Sequence, residues 1–362
     1  MRSGARRTFR PRASGFPWVG IVCIVVAALA TSATAAGAQP AARLESPKAA
    51  EIARGPLAIR DTVRTRPALE HLQKAGAAWG GPYTTPTGET VTVYASDAYP
   101  QDPALGQRWA NFLDGLTHGT ELSLLTVYLA PLAEVQSLCG QQALGCYSPD
   151  DNTLVAPGGD PSTDTSAEAV ITHEYGHHVA NHRSDAPWDA LDYGTKRWAT
   201  YEQVCAKTAS GQLFPGAETE PRYMLNPGEA FAETYRVLNE RLAGLTEAPW
   251  DVVSQSLYPD ATALSLLQQD VVTPWTANTT QTRTASFAKK GAATRSFTFS
   301  TPFDGSLKVS LSHARSLGTA LAVVKGGARA SASSTVCGTR SIRVTVTRKS
   351  GSGSFKLAVS TP

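Results

Sequence analysis

The chain has 362 residues, 42% hydrophobic and 17% charged, with 30 Gly, 23 Pro and five Cys; this allows one large domain or two ordinary ones and excludes both wholesale disorder and collagen. The net charge of +3 has its excess in residues 1–38, which hold five arginines and no acid. The other 28 basic and 30 acidic residues leave −2, too little for a phosphate-neutralising footprint, so no nucleic-acid partner is expected.

The first segment reads as an export signal. Its arginines precede the apolar run Trp18–Ala30, and small residues follow up to Ala36-Gly37-Ala38, an A-x-A cleavage pattern. Cleavage after Ala38 gives a secreted protein with no membrane contact; the alternative is an uncleaved anchor, since Trp18–Ala36 can just span a bilayer. Arg6-Arg7-Thr8-Phe9 resembles a twin-arginine signal but departs from it at Arg10-Pro11. Beyond Cys23 there remain Cys139, Cys146, Cys205 and Cys337, an even set that suggests disulfides in an exported chain. Cys139 and Cys146 enclose a short loop; Cys205 and Cys337 then join distant regions or stay as buried thiols.

Residues 39–79 read as an N-terminal extension or propeptide, with one helix near Pro67–Ala75. Glu89–Ala95 alternates as a half-buried strand, 104–117 has helical apolar spacing, and Leu122–Leu129 is a second strand. A short helix ends at Cys139. Asn152–Ala156 is a further strand, either an ordinary sheet strand or an edge strand with which an extended peptide can pair. Thr165 and Glu168 match a capping box that opens a helix to Asn181. Helices fit 195–209, 227–243 and 259–271. Strands first and helices afterwards give an α+β domain over 80–275. A polar linker spans 276–284. Alternating strands at 295–300, 305–312, 340–347 and 354–360 then make a small all-β sandwich over 285–362.

The chemistry sits on the helix after Thr165. His173 and His177 are four residues apart, hence one turn apart on the same face, where both imidazoles reach one metal. Glu174 beside them can touch a metal-bound water. Neutral imidazoles suit Zn²⁺, and a fourth position left to water makes such a site catalytic. A chance HExxH in a chain this long arises on the order of 1% of the time. Gly176 costs roughly 1 kcal/mol against Ala in a helix, a loss that a close backbone neighbour would justify. The third ligand is not His182, which is one residue short of the HExxHxxGxxH spacing, and Arg183 stands where that pattern needs histidine. Asn226–Arg236 offers two glutamates. Asn226 and Pro227 make a helix start that puts Glu229 at N3, which is also a capping-box position. Glu233 lies one turn on, suited to hold a ligand histidine by its second nitrogen.

With those segments in view, the chain resembles the gluzincin class of zinc metallopeptidases, and Asn226–Arg236 is similar to the catalytic domain of lethal-factor-type toxins. The resemblance implies a zincin-like fold, His173, His177 and Glu229 as zinc ligands, Glu174 as general base, and Glu233 behind a ligand histidine. It also implies a tyrosine that stabilises the oxyanion; Tyr223 is the nearest counterpart, its offset differing by one residue. Residues 285–362 resemble the pre-peptidase C-terminal β-sandwiches of secreted bacterial proteases. The expected activity is hydrolysis of a peptide or protein substrate. The alternative is a non-catalytic binding or adhesion protein that works through surface or glycan contact of the sandwich.

Overall fold

The computed structural model describes residues 78–159, 164–338 and 340–362. The signal segment and the helix near 67–75 lie outside them. The described chain is mixed α/β, with eight α-helices and three sheets, a helical region preceding a β-rich C-terminal part. Among these residues no helix is long and apolar enough to cross a membrane.

The first sheet contains β1 (Ala78–Thr84), β2 (Thr90–Ser96), β3 (Thr126–Leu129), β4 (Cys146–Ser148) and β5 (Thr153–Ala156), in the order β1-β2-β3-β5-β4. β2, β3 and β5 run parallel, with β1 and β4 antiparallel at the two edges. Val91, Val93 and Ala95 alternate into the core, as the period of two in that segment requires. The helix α1 (Pro103–Asp114) begins at Asp102, whose carboxylate accepts from Ala104 N, and it buries Trp109 and Leu113. After β3 comes α2 (Leu132–Cys139).

Three expectations change here. Residues 120–124 form a 3-10 turn, so the second strand begins only at Thr126. β1 and β4 had too little alternation to be read as strands. Because β4 pairs with β5 on the side away from β3, Thr153–Ala156 is interior to the sheet and offers no free edge to a peptide.

The helix α3 (Ala167–Asn181) is buried from Ala169 to Ala180. It lies against β4 and β5 and against α7 (Pro227–Leu242). Its N-cap is Ser166, which accepts from Ala169 N at 3.1 Å, one residue later than the expected Thr165. Between α3 and α7 run α4 (Ala190–Tyr193), α5 (Lys196–Tyr201) and α6 (Val204–Ala209). The single helix expected over 195–209 breaks because Gln203 takes a left-handed conformation, φ 58°. The last helix is α8 (Ala261–Val272), capped by Asp260.

The C-terminal part packs the sheet β10-β9-β12-β7 against β11-β8-β13-β6, with an apolar core that includes Phe299, Val309, Val344 and Phe355. Its strands are β6 (Thr279–Phe287), β7 (Thr294–Ser300), β8 (Gly305–His313), β9 (Leu317–Lys325), β10 (Ala328–Ala330), β11 (Ser333–Val336), β12 (Ser341–Gly351) and β13 (Gly353–Thr361). The polar stretch 276–284 is only partly a connector, since from Thr279 it is the strand β6 paired along β13. Threonine is β-branched and suits a strand whose outer face meets water, which is why composition alone read it as linker. The Cys205–Cys337 disulfide ties this part to the helical region. Beside it the buried Lys196 ammonium donates to Asp304 O at 3.1 Å and to Ala186 O at 2.9 Å, and it pairs with Asp185 Oδ1 at 2.7 Å. The second bond, Cys139–Cys146, closes the loop before β4. Both bonds suit an oxidising compartment.

Gly176 is the contact point of α3 and α7. A Cβ there would lie 2.9 Å from Ala232 Cα and 3.2 Å from Ala232 O. Two effects oppose each other in Gly176→Ala: helix propensity favours alanine by about 1 kcal/mol, while overpacking against backbone costs about 1–3 kcal/mol. Backbone cannot swing aside like a side-chain end, so overpacking wins. Gly176→Ala should unfold at lower denaturant concentration than the parent, measured by equilibrium denaturation.

His178 pins the β4–β5 hairpin from the other side of α3, with Nδ1 3.0 Å from Tyr147 Oη and Nε2 2.8 Å from Glu121 O. Burial lowers its pKa from 6.5 to about 4, against the pull of the Glu121 carbonyl. The unfolded chain therefore takes up this proton first. Its contribution is full above about pH 6.5 and is lost as pH falls toward 4. Thermal midpoints should drop across that window, and His178→Gln should flatten the drop.

Candidate metal centre

α3 and α7 bring three side chains to one point. His177 Nε2 lies 3.2 Å from His173 Nε2, and Glu229 Oε2 lies 3.3 Å from each of them. The three residues are at most 3% exposed. In tetrahedral coordination with bonds of about 2.0–2.1 Å, ligand atoms stand about 3.3–3.4 Å apart, which is the spacing found. The donor set also fits on chemical grounds. Glu229 Oε2 is buried and makes no hydrogen bond, its nearest polar neighbours being the two imidazole nitrogens. A buried His-His-Glu group of this shape can hold a metal ion.

The protonation pattern follows from the neighbours. His173 Nδ1 donates to Glu233 Oε1 at 2.8 Å. An ionised carboxylate only accepts, so the neutral ring carries its proton on Nδ1 and turns the Nε2 lone pair toward the centre. Glu233 is held in turn by Arg236, which donates to its two oxygens at 2.9 and 2.6 Å and also to Glu240 at 2.7 Å. Burial opposes ionisation of Glu233, but the Arg236 and His173 hydrogen bonds outweigh it and bring the carboxyl down to about 2. Glu233 is thus anionic at neutral pH. Glu229 faces the Nε2 atoms of both rings from a buried position.

The local sequence explains how α7 delivers them. Asn226 caps the helix by accepting from Gly228 N at 2.9 Å, and Pro227 fills the first turn where no amide donor is needed. The reciprocal half of a capping box is missing: Asn226 N donates to Tyr223 O instead of to Glu229. Glu229 is therefore left to face the histidines.

Glu174 is fully buried on α3 between His173 and His177 in sequence. Gly145, in the disulfide-closed loop, lies against it: a Cβ at that position would be 2.9 Å from Glu174 Oε1. Tyr223 lines a cavity of about 90 Å³ together with His177, Glu229, Asp192 and Glu218, so the structure brings it to the same opening as two of the three centre residues. His182 is elsewhere, bonded to Asn152 Oδ1 at 2.9 Å. The second cluster of metal-type side chains among the described residues, Cys205, Cys337 and Asp304, has its two sulfurs joined to each other. Sequence reasoning missed Gly145, Asp192 and Glu218. Arg236 lay within the motif and carried a signal: an arginine three residues after a glutamate on one helix meets its carboxylate.

The chain matches no protein family and no curated protein in sequence.

Glu229→Ala and Glu233→Ala separate the two roles. Removing Glu229 leaves two protein donors, so metal should be lost on mild chelation. Removing Glu233 keeps three donors but frees the His173 ring, and metal affinity should weaken by about 10–100-fold. Metal content by elemental analysis, before and after a graded chelator series, checks both.

Proposed function

We propose that this protein is a secreted zinc metallopeptidase with a zincin-like catalytic region. The observation that carries the reading is the convergence of His173 Nε2, His177 Nε2 and Glu229 Oε2 at tetrahedral spacing, with Glu174 on the same helix. Two nitrogens and one carboxylate oxygen are a catalytic type of zinc donor set, with one coordination position left over. Zinc held there supplies Lewis-acid polarisation of a carbonyl and brings the pKa of a bound water to about 7.

The chain's own residues divide the remaining work. Glu174 takes the proton of the attacking water and passes it to the leaving amine. Tyr223, at the cavity beside His177 and Glu229, donates a hydrogen bond to the carbonyl oxygen as charge builds on it. Glu233 and Arg236 hold the His173 ring still, so that its lone pair keeps its direction. Gly145 leaves space for the Glu174 carboxylate. A purely structural metal site needs no base next to its ligands, so the placement of Glu174 favours hydrolysis over a binding scaffold.

Glu174→Gln conserves shape and should retain metal and fold while losing hydrolysis of an unstructured protein substrate by about 100-fold or more. Turnover near that of the parent, at equal metal content, would overturn the mechanism.

A further inference from the structure

The near-neutral charge of residues 39–362 conceals two opposite halves. Residues 78–278 hold 25 acidic and 8 basic side chains, net −17, whereas residues 279–362 hold 13 basic and a single acid, net +12. That acid, Asp304, is buried and pairs with Arg340 at 2.6 Å. No other Lys or Arg of the sandwich has a carboxylate in its own domain to meet.

Strand register sorts these cations. Phe287 pairs with Gly353 and His313 with Phe355, while Leu317 pairs with Gly351 and Thr294 with Thr347, so the β6–β7, β8–β9 and β12–β13 turns lie toward one end. Two contacts join the turns. Arg348 donates to Ala288 O and to Gly291 O, and Ser316 Oγ donates to Ser352 O at 2.9 Å. This end carries Lys289, Lys290, Arg295, Arg315, Arg348 and Lys349, all exposed except the half-buried Arg348. It has no acid. The opposite end holds Cys337 and Asp304 and is tied to the helical region.

Six cations held together without counter-charge repel one another, a cost that falls when an anionic polymer displaces the small ions around them. We propose that this end of the sandwich docks an anionic polysaccharide, its sulfate or carboxylate groups meeting the Lys and Arg side chains. Two features favour a polysaccharide over single-stranded nucleic acid and over a lipid surface. Among the described residues, none of the large exposed hydrophobics lies in 279–362, so the end has no aromatic platform for unstacked bases and no apolar wedge for a lipid surface. The flanking sheet faces are rich in Ser and Thr, including Thr280, Thr282, Thr284, Ser310 and Ser312, which suit hydroxyl-rich chains.

The test measures binding of the full chain to dextran sulfate at fixed ionic strength, with uncharged dextran, duplex DNA and phosphatidylglycerol vesicles as comparisons. Lys289→Gln/Lys290→Gln/Lys349→Gln removes three charges from the proposed end. Lys308→Gln/Arg329→Gln/Arg343→Gln removes three exposed charges from elsewhere in the same domain. Dextran sulfate should bind in a salt-dependent way and uncharged dextran should not. The end variant should lose about tenfold or more in affinity, the control variant less than about threefold, with equal thermal midpoints. Equal losses in both variants, no binding, or tighter binding of DNA or vesicles would overturn the proposal. Glu174→Gln should bind as the parent does, so failure here and failure of the peptidase reading are told apart.

Discussion

The approach of two helix backbones at Gly176 and Ala232 sets the geometry on which the centre depends. A side chain at Gly176 would hold α3 and α7 apart, and the His173, His177 and Glu229 atoms that converge lie 3.2–3.3 Å from one another. With the helices in contact, Glu229 in the first turn of α7 meets both Nε2 atoms, and Glu233 one turn later meets His173 Nδ1. The rest of the region keeps this contact in place. β4 and β5 cover the opposite face of α3, and the Tyr147–His178–Glu121 contacts fix that hairpin to the helix.

Such a contact buries charge, and the structure handles that by chaining opposite signs. Glu233, Arg236 and Glu240 alternate along one face of α7, each hydrogen-bonded to the next. Losing one partner of a buried pair typically costs about 3–5 kcal/mol because the other charge is stranded. The network therefore links the orientation of the His173 ring to Arg236 and Glu240, which do not touch that ring. Glu229 stands outside this chain. Its polar neighbours are the two imidazoles, 3.3 Å away, so its burial as an anion is accounted for by a cation that the three side chains could share.

Charge is also organised on a larger scale. An acidic helical region and a basic sandwich are joined at one end by a disulfide and by Lys196, whose ammonium sits among Asp185, Ala186 and Asp304 oxygens. Lysine is rarely so buried. Its partners include three backbone carbonyls, those of Asp185, Ala186 and Asp304, which a charge-reversing substitution elsewhere would not remove. Within the sandwich Arg340 alone meets a carboxylate of the same part, Asp304, so the segregation is hardly used for internal ion pairing. It leaves a strong local field at the free end.

The sequence alone contained the spacing of His173 and His177, the helix start at Asn226-Pro227, the alternation of the main sandwich strands and the even cysteine set, because each depends on near neighbours in the chain. It also singled out Gly176 as a residue needing a backbone neighbour, though not which one. Whether Glu229 caps a helix or faces the histidines was open locally, since both roles use the same N3 position; in the fold Asn226 N bonds to Tyr223 O and α3 brings the two imidazoles to Glu229. β4 is three residues long and β1 carries two glycines, so neither had a readable period, and the interior position of β5 follows from β4 alone. Gly145, Asp192 and Glu218 reach the centre through folds of the chain that no spacing encodes. The net charge of the whole averaged away what strand register reveals, a cluster of cations drawn from three turns far apart in sequence.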